Sequence, residues 1–237
     1  MVKRSTIIKT SNILAYFLFL SVSILWEFSV NQEKSPYTPA VINTYIGPVF
    51  FTYFIWVIIH LFLAGFVIYQ VFELRDDLLD NGIQWYFVAV TLLNTLWLTL
   101  WHIDLIIISW LAIIVAAVLI SAIYWNLKEK FRPKDKYELL FIHIPFSLYH
   151  AWIFVLTIIT TFTLFTPKPN INDKGPTMVV LVFVIIGLIL MEVIAIVYIE
   201  RFKDVAGAAI IAWTLFGIAV EQTNILSHWI ALALMVV

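Results

Sequence analysis

The sequence predicts an all-α membrane protein, a polytopic helical bundle with seven transmembrane helices and a short eighth apolar stretch. Of its 237 residues, 63% are hydrophobic and only 12% are charged, whereas soluble domains are about a quarter charged. The apolar residues form long stretches, and about 20 residues per helix cross a hydrocarbon core about 30 Å thick. No stretch alternates with a period of two, so helices rather than a barrel are expected to satisfy the backbone.

Seven apolar stretches are long enough to cross a membrane as helices. They cover approximately residues 7–28, 46–72, 84–102, 104–126, 139–165, 178–199 and 205–221. An eighth stretch, 224–237, has only fourteen residues, so it is expected to dip into the membrane or to span it imperfectly. Residues 1–237 together are expected to form a single transmembrane domain.

The basic residues predict the orientation of the helices. When the loops are assigned to alternating sides, eleven Lys and Arg residues fall on the side of the N-terminus. The opposite side has three, which are Lys34, Lys168 and Lys174. By the positive-inside rule, the N-terminus of this multi-pass protein is expected in the cytoplasm.

Charge and composition exclude several functions. The net charge is −1, so there is no basic excess to hold the phosphates of a nucleic acid. The chain has no cysteine, which excludes disulfides, thiolate haem ligation and iron–sulfur clusters. A retinal pigment is also excluded. Its Schiff base requires a lysine deep in the last helix, whereas Lys203 lies at the start of the seventh stretch.

One face of the third predicted helix combines a hydrogen-bonding amide with two indoles. Asn94, Trp97 and Trp101 are three and seven residues apart, so they project from the same side of a helix. This face is a candidate ligand site. The alternative is structural: Asn94 joins helices and the indoles fill the bundle, since polar contacts between membrane helices are routine.

Three sequence blocks resemble the translocator protein family, also called tryptophan-rich sensory proteins or peripheral benzodiazepine receptors. Residues 93–97, LNTLW, look like the L-N-x-x-W signature of that family. Residues 145–152, PFSLYHAW, are similar to the P-F-S-L-Y-x-x-W form of its longer members. A third block combines Thr38-Pro39-Ala40 with Ile55-Trp56 and resembles the outer proline loop and second helix of the family.

The resemblance implies a five-helix core over about residues 7–165, with additional helices over about 178–237. In the family, the core encloses a lipid-accessible pocket for tetrapyrroles, sterols and drug-like aromatic molecules. Pocket roles carry over to the positions where the patterns coincide, which are Trp56, Asn94, Trp97, Tyr149 and Trp152. The sequence departs from the long members at His60 and His150.

His60 and His150 lie near the middle of their predicted helices, where an ionisable residue is by default a functional hypothesis. Neutral imidazoles could ligate the iron of a haem whose face stacks on indoles. We therefore include both in the candidate ligand site and expect their side chains to face each other. The alternative is two neutral histidines that donate to neighbouring carbonyl groups.

Other charged residues are assigned structural roles. Glu192 lies within the sixth predicted helix and is expected to be protonated or paired with a polar group of the bundle. The run from Lys128 to Glu138 has mixed charges and is expected to be a solvated loop that touches anionic lipid headgroups.

The leading functional expectation is a membrane protein that binds a flat hydrophobic ligand, such as a porphyrin, haem or a sterol, and acts as carrier, sequestering protein or sensor. Its expected partners are membrane lipids and this ligand, and a homodimer is compatible with the sequence. No catalytic residue is assigned. The alternatives are a porphyrin-modifying enzyme, for which no catalytic motif is recognisable, and a structural subunit of a larger membrane complex.

Overall fold

The computed structural model describes residues 4–27, 44–72, 75–166, 177–222 and 225–234, and within these ranges the secondary structure is helical. The helices are α1 (Arg4–Glu27), α2 (Ile55–Phe72), α3 (Tyr86–His102), α4 (Ile106–Glu129), α5 (Ile144–Phe165), α6 (Met178–Glu200), α7 (Val205–Glu221) and α8 (Ile225–Leu234). Short helical segments precede three of them: a 3₁₀ helix Phe50–Phe54 before α2, Asp76–Leu78 with a π-helix Leu79–Ile83 before α3, and Lys136–Glu138 with a π-helix Leu139–His143 before α5.

The helices confirm the predicted all-helical membrane bundle. Five of the described helices are long and apolar enough to cross a membrane, and the segment Asp76–Ile83 makes a sixth span with α3 if this pair, bent by 51°, is one span. The seventh predicted span is α7, whose 17 residues are about 25 Å long. The described part of α8 has ten residues and is about 15 Å long, half the thickness of a hydrocarbon core.

The first five helices form a closed ring. Each packs on two neighbours, in the order α1, α2, α5, α4, α3 and back to α1. The contacts of α3 with α4 and of α4 with α5 are the most extensive, whereas α2 packs less tightly on α1 and α5. The ring therefore has an interior onto which side chains of all five helices can project.

A second layer, made of α6, α7 and α8, packs outside the ring through α7 and α5. At one end, the backbone N–H of Val49 donates to the carbonyl of Gly217 over 3.0 Å. The indole of Trp213 donates to the carbonyl of Thr52 over 3.0 Å, and the amide of Gln222 donates to the carbonyl of Gly47 over 2.9 Å. These bonds attach α7 to the segment that leads into α2.

Ion pairs join the loops at the opposite end of the bundle. Arg75 lies 2.9 Å from Glu138, and Arg201 lies 2.8 Å from Glu129. Both pairs connect loops that the alternating assignment places on one side, so this grouping of the described loops is confirmed. We call this end the basic end. Its assignment to the cytoplasm stays a prediction, and Lys34, Lys168, Lys174 and the block Thr38-Pro39-Ala40 lie outside the described residues.

The run from Lys128 to Glu138 is not solvated throughout, which corrects one expectation. Lys128 belongs to the last turn of α4, and its side chain is only 20% exposed. The Glu138 carboxylate is buried, and it accepts hydrogen bonds from Arg75 and from the backbone N–H of Lys134. Both ends of the run therefore contribute to packing. Lys128 is paired with Asp204, and Glu138 is paired with Arg75.

We predict that Gly217→Ala destabilises the attachment of α7. A Cβ atom at Gly217 would overlap the side chain of Thr52, and the backbone there is held by the bond from Val49. We expect a loss of about 1–3 kcal/mol, as for other overpacked sites, measured by thermal unfolding in detergent. In the control Gly65→Ala, the new methyl meets only the Phe141 ring at 3.0 Å. An equal melting temperature for Gly217→Ala and the wild type would contradict the close contact.

Candidate functional site

An aromatic cluster occupies the interior of the ring, and we call it the ring cluster. It is built by four of the five ring helices. Its members are Phe19 of α1, Trp56 and His60 of α2, Asn94 of α3, and Tyr149 and Trp152 of α5. The structure therefore brings together five of the eight predicted site residues, namely Trp56, His60, Asn94, Tyr149 and Trp152.

Trp56 is the centre of the ring cluster. Its ring centroid lies 6.1 Å from that of Trp152 at an interplanar angle of 85° and 6.3 Å from that of Tyr149. The His60 ring stacks on it with a centroid distance of 5.3 Å and an angle of 25°. Edge-to-face and offset-stacked pairs at these distances are the favoured aromatic geometries. The cluster is therefore an ordered aromatic surface.

Asn94 joins α3 to α5 within this cluster. Its side-chain N–H donates to the hydroxyl of Tyr149 over 2.7 Å, and both side chains are fully buried. An asparagine amide has both a donor and an acceptor end, and the hydroxyl satisfies one of them. The Asn94 Oδ1 has no partner among the described residues. The amide therefore keeps hydrogen-bonding capacity inside the ring.

Several other polar atoms of the predicted site residues are buried without a partner in the described part of the chain. They are Nε1 of Trp56, Nδ1 of His60, Nε1 of Trp101 and Nε1 of Trp152. An unsatisfied buried polar atom costs about 1–3 kcal/mol, and lipid cannot supply the missing bond. These four nitrogens therefore keep hydrogen-bonding capacity that the described residues do not use.

Trp97 and Trp101 lie on the α3 face that carries Asn94, as the spacing predicts. Both are almost fully buried, and their ring centroids are 6.1 Å apart. The hydroxyl of Ser109 on α4 donates to the backbone carbonyl of Trp97 over 2.8 Å. Both indoles therefore lie in the protein interior, next to the turn between α3 and α4.

His150 belongs to a different group of side chains from His60. Its Nε2 lies 3.0 Å from the hydroxyl of Ser121 on α4, and its Nδ1 is hydrogen-bonded to the hydroxyl of Tyr198 on α6. The ring also stacks on Tyr124 at a centroid distance of 4.3 Å and an angle of 9°. Because Ser121 already donates to the carbonyl of Ala117, we assign the neutral imidazole a proton on Nε2.

His60 instead packs toward α1, where its ring centroid lies 4.8 Å from that of Phe19. The expectation that the imidazoles of His60 and His150 face each other is therefore wrong. Both nitrogens of His150 are used in bonds to α4 and α6, because these helices offer hydroxyl groups at hydrogen-bonding distance. The two residues do not provide a facing pair of axial haem ligands.

Within the described residues, no group of three or more His, Asp or Glu side chains is placed to hold a metal ion.

The sequence-based reasoning missed a buried charged cluster around Asp204, which we call the Asp204 cluster. The Oδ2 atom of Asp204 lies 2.7 Å from Nζ of Lys128, and it accepts hydrogen bonds from Tyr124 over 2.8 Å and from Ser147 over 2.7 Å. The other oxygen accepts from the backbone N–H of Gly207 and so caps the start of α7. An aspartate just before an apolar helix is the signal that could have identified it.

The charge of Asp204 is stabilised despite its burial. Burial raises the pKa of this carboxyl, but the hydrogen bond and charge of Lys128, with the hydroxyls of Ser147 and Tyr124, outweigh burial and hold the pKa below its usual range. Asp204 is therefore ionised at neutral pH. A carboxyl with a depressed pKa contributes stability above the pKa of the unfolded chain, and this contribution is lost as the pH falls through the folded value.

These features define an integral membrane protein of the polytopic α-helical class with an aromatic cluster in its interior. The family model described as TSPO-like protein matches residues 7–237. The chain belongs to this family, which confirms the resemblance seen in the sequence. No curated protein and no solved structure matches it.

We predict that Asp204→Asn destabilises the protein by about 3 kcal/mol, the low end of the range for breaking a buried ion pair. The substitution leaves Lys128 charged without its partner, although one-fifth of that side chain is exposed. In the control Glu129→Gln, the lost pair with Arg201 is more exposed, and we expect a loss of at most about 1 kcal/mol. Thermal unfolding in detergent measures both. Equal losses for the two variants would show that the Asp204 cluster adds no more than a surface pair.

Proposed function

We propose that the protein binds a flat hydrophobic ligand, a porphyrin or a sterol-like molecule, in the ring cluster, and that it acts as a carrier, sequestering protein or sensor. The ligand contacts the rings of Trp56 and Trp152 in this cluster and extends to Trp97, which lies three residues along α3 from Asn94. Polar atoms of the ligand accept hydrogen bonds from indole N–H groups. The side-chain amide of Asn94 provides the principal polar contact.

The observation that carries this proposal is the set of unsatisfied buried atoms among the aromatic rings. Nε1 of Trp56 and Nε1 of Trp152 are donors, whereas Oδ1 of Asn94 is an acceptor. The rings of Trp56 and Trp152 are in edge-to-face contact, so these two donors belong to one surface. A ligand with acceptor atoms at its edge would satisfy them, while its face would pack on the rings.

The chemistry of the membrane explains why these groups matter for selectivity. A hydrophobic ligand already dissolved in the bilayer gains little from further apolar burial, because lipid tails are as apolar as the interior of the protein. Stacking and hydrogen bonding must therefore supply the affinity. The ring cluster offers both, since Trp56 and Trp152 are in ring contact and each has an indole N–H without a partner among the described residues.

Entry from the lipid is expected along α2. This helix packs less tightly on its ring neighbours than α3 and α4 do on theirs. His60 on α2 is only partly buried, whereas Asn94 and Trp152 are fully buried. A movement of α2 away from α1 would therefore open the ring cluster with the smallest loss of packing.

We predict that Trp152→Phe weakens porphyrin binding by about 1 kcal/mol, the net value of one hydrogen bond. Phenylalanine keeps an aromatic face and removes the N–H group. Porphyrin absorbance titrated with purified protein in detergent gives the Kd. The matched control is Trp125→Phe, because Trp125 is half exposed at the basic end. Unchanged affinity in Trp152→Phe would show that the indole N–H of Trp152 does not bond to the porphyrin.

We also predict that Trp97→Ala weakens porphyrin binding by roughly 1–3 kcal/mol, as expected for an aromatic hot spot. Trp125→Ala should leave the affinity unchanged. Each variant is first checked for a cooperative thermal melt, because Trp97 is 2% exposed and its removal creates a cavity. Equal affinities for the wild type and Trp97→Ala would favour a structural role for this indole. Loss of the porphyrin spectrum during aerobic incubation would instead indicate an enzyme.

A further inference from the structure

Glu192 is a buried acid on α6. It lies on α6 and is 6% exposed, and its Oε1 atom has no hydrogen-bond partner among the described residues. It is eight residues from Glu200, or about 12 Å along the helix, so it lies at the depth of the hydrocarbon. The expected pairing of Glu192 with a polar group of the bundle is therefore not present in the described chain.

Glu192 lines a cleft between α6 and α7 that has a volume of about 390 Å³. This volume is in the range of about 300–1,000 Å³ that is typical of small-molecule sites. The cleft exists because the facing side chains are small, namely Ala195, Ala208, Ala209 and Ala212. Leu215 and Leu234 add apolar walls. It is thus a largely apolar cleft with a carboxyl group in it.

The ionisable side chains that line the cleft are acidic. Among the described residues, its ionisable lining groups are Glu192 and Glu200, and none of those that line it is a Lys, Arg or His. Glu200 lies at the exposed mouth, where its carboxylate is 3.5 Å from the ammonium group of Lys203. Glu192 forms no such pair with a described residue. An isolated carboxylate in an apolar medium is strongly unfavourable unless a positive charge accompanies it.

We propose that this cleft binds a lipophilic amine, whose protonated nitrogen pairs with Glu192 and whose apolar part lies along the alanine surface of α7. The amine enters at the exposed Glu200 and moves inward toward Glu192. A charged pair of this kind is strong where water is absent, and the other groups that line the cleft accommodate an alkyl chain. This site lies outside the helix ring, so it is separate from the ring cluster.

The test uses two photoactivatable probes that differ only in the polar group: a diazirine-bearing dodecylamine and the matching dodecanol. The full-length protein in lipid nanodiscs is labelled with each probe, and peptides of α6 and α7 are identified by mass spectrometry. An excess of unlabelled dodecylamine defines saturable labelling. Glu192→Gln keeps the shape of the side chain and removes its charge, whereas Glu200→Gln changes the exposed mouth.

We expect saturable labelling of α6 and α7 by the amine, with little labelling by the alcohol. Glu192→Gln should reduce amine labelling about tenfold or more, because a buried ion pair loses one partner, while Glu200→Gln should reduce it less than about twofold. Ala212→Leu fills the cleft and should abolish labelling by both probes. Thermal melts check folding, and we expect Glu192→Gln to melt no lower than the wild type because it removes an unpaired acid.

Three results would overturn the proposal. The first is unchanged amine labelling in Glu192→Gln. The second is equal labelling by the alcohol and the amine, which would indicate a protonated acid that binds a hydroxyl. The third is the absence of saturable amine labelling of α6 and α7 in the wild type, which would show that the cleft does not take up the amine. None of these results depends on porphyrin binding in the ring cluster.

Discussion

A polar group inside a membrane bundle must find its partner in the protein or in a ligand, because lipid offers no hydrogen bonds. This constraint divides the polar side chains of the protein into two sets. At the basic end, Asp204 is satisfied by Lys128, Tyr124 and Ser147. In the ring cluster, Trp56 and Trp152 keep donors without acceptors. The satisfied set holds the helices together, and the unsatisfied set is the basis of the proposed ligand site.

The Asp204 cluster also explains how the outer helices attach to the ring. Asp204 caps α7 and bonds to side chains of α4 and α5, while Tyr198 of α6 bonds to His150 of α5. At the other end, α7 is held by backbone bonds at Gly217 and by Gln222. Because α7 is fixed at both ends, the cleft between α6 and α7 has one rigid wall.

The sequence predicts the helices well, because long apolar stretches and the lengths needed to cross a bilayer leave few alternatives. It also predicts that Asn94, Trp97 and Trp101 share one face. It does not predict the partners of His150. Ser121 and Tyr198 are far from His150 in the sequence, and no periodic pattern links these residues to it. The sequence also does not predict the ion pair of Lys128 with Asp204. In a sequence, charged residues at the ends of helices cannot be distinguished from charged residues of solvated loops.

The proposed function requires that the indoles of Trp56 and Trp152 bind a ligand inside the ring. The most direct measurement is nuclear magnetic resonance of ¹⁵N-labelled indoles in lipid nanodiscs, with each signal assigned by a Trp→Phe variant. On addition of protoporphyrin, the account predicts that the N–H signals of Trp56 and Trp152 shift as these groups gain acceptors. The signal of Trp125 should not move. Shifts confined to exposed indoles such as Trp125 and Trp229, with Trp56 and Trp152 unchanged, would contradict the claim.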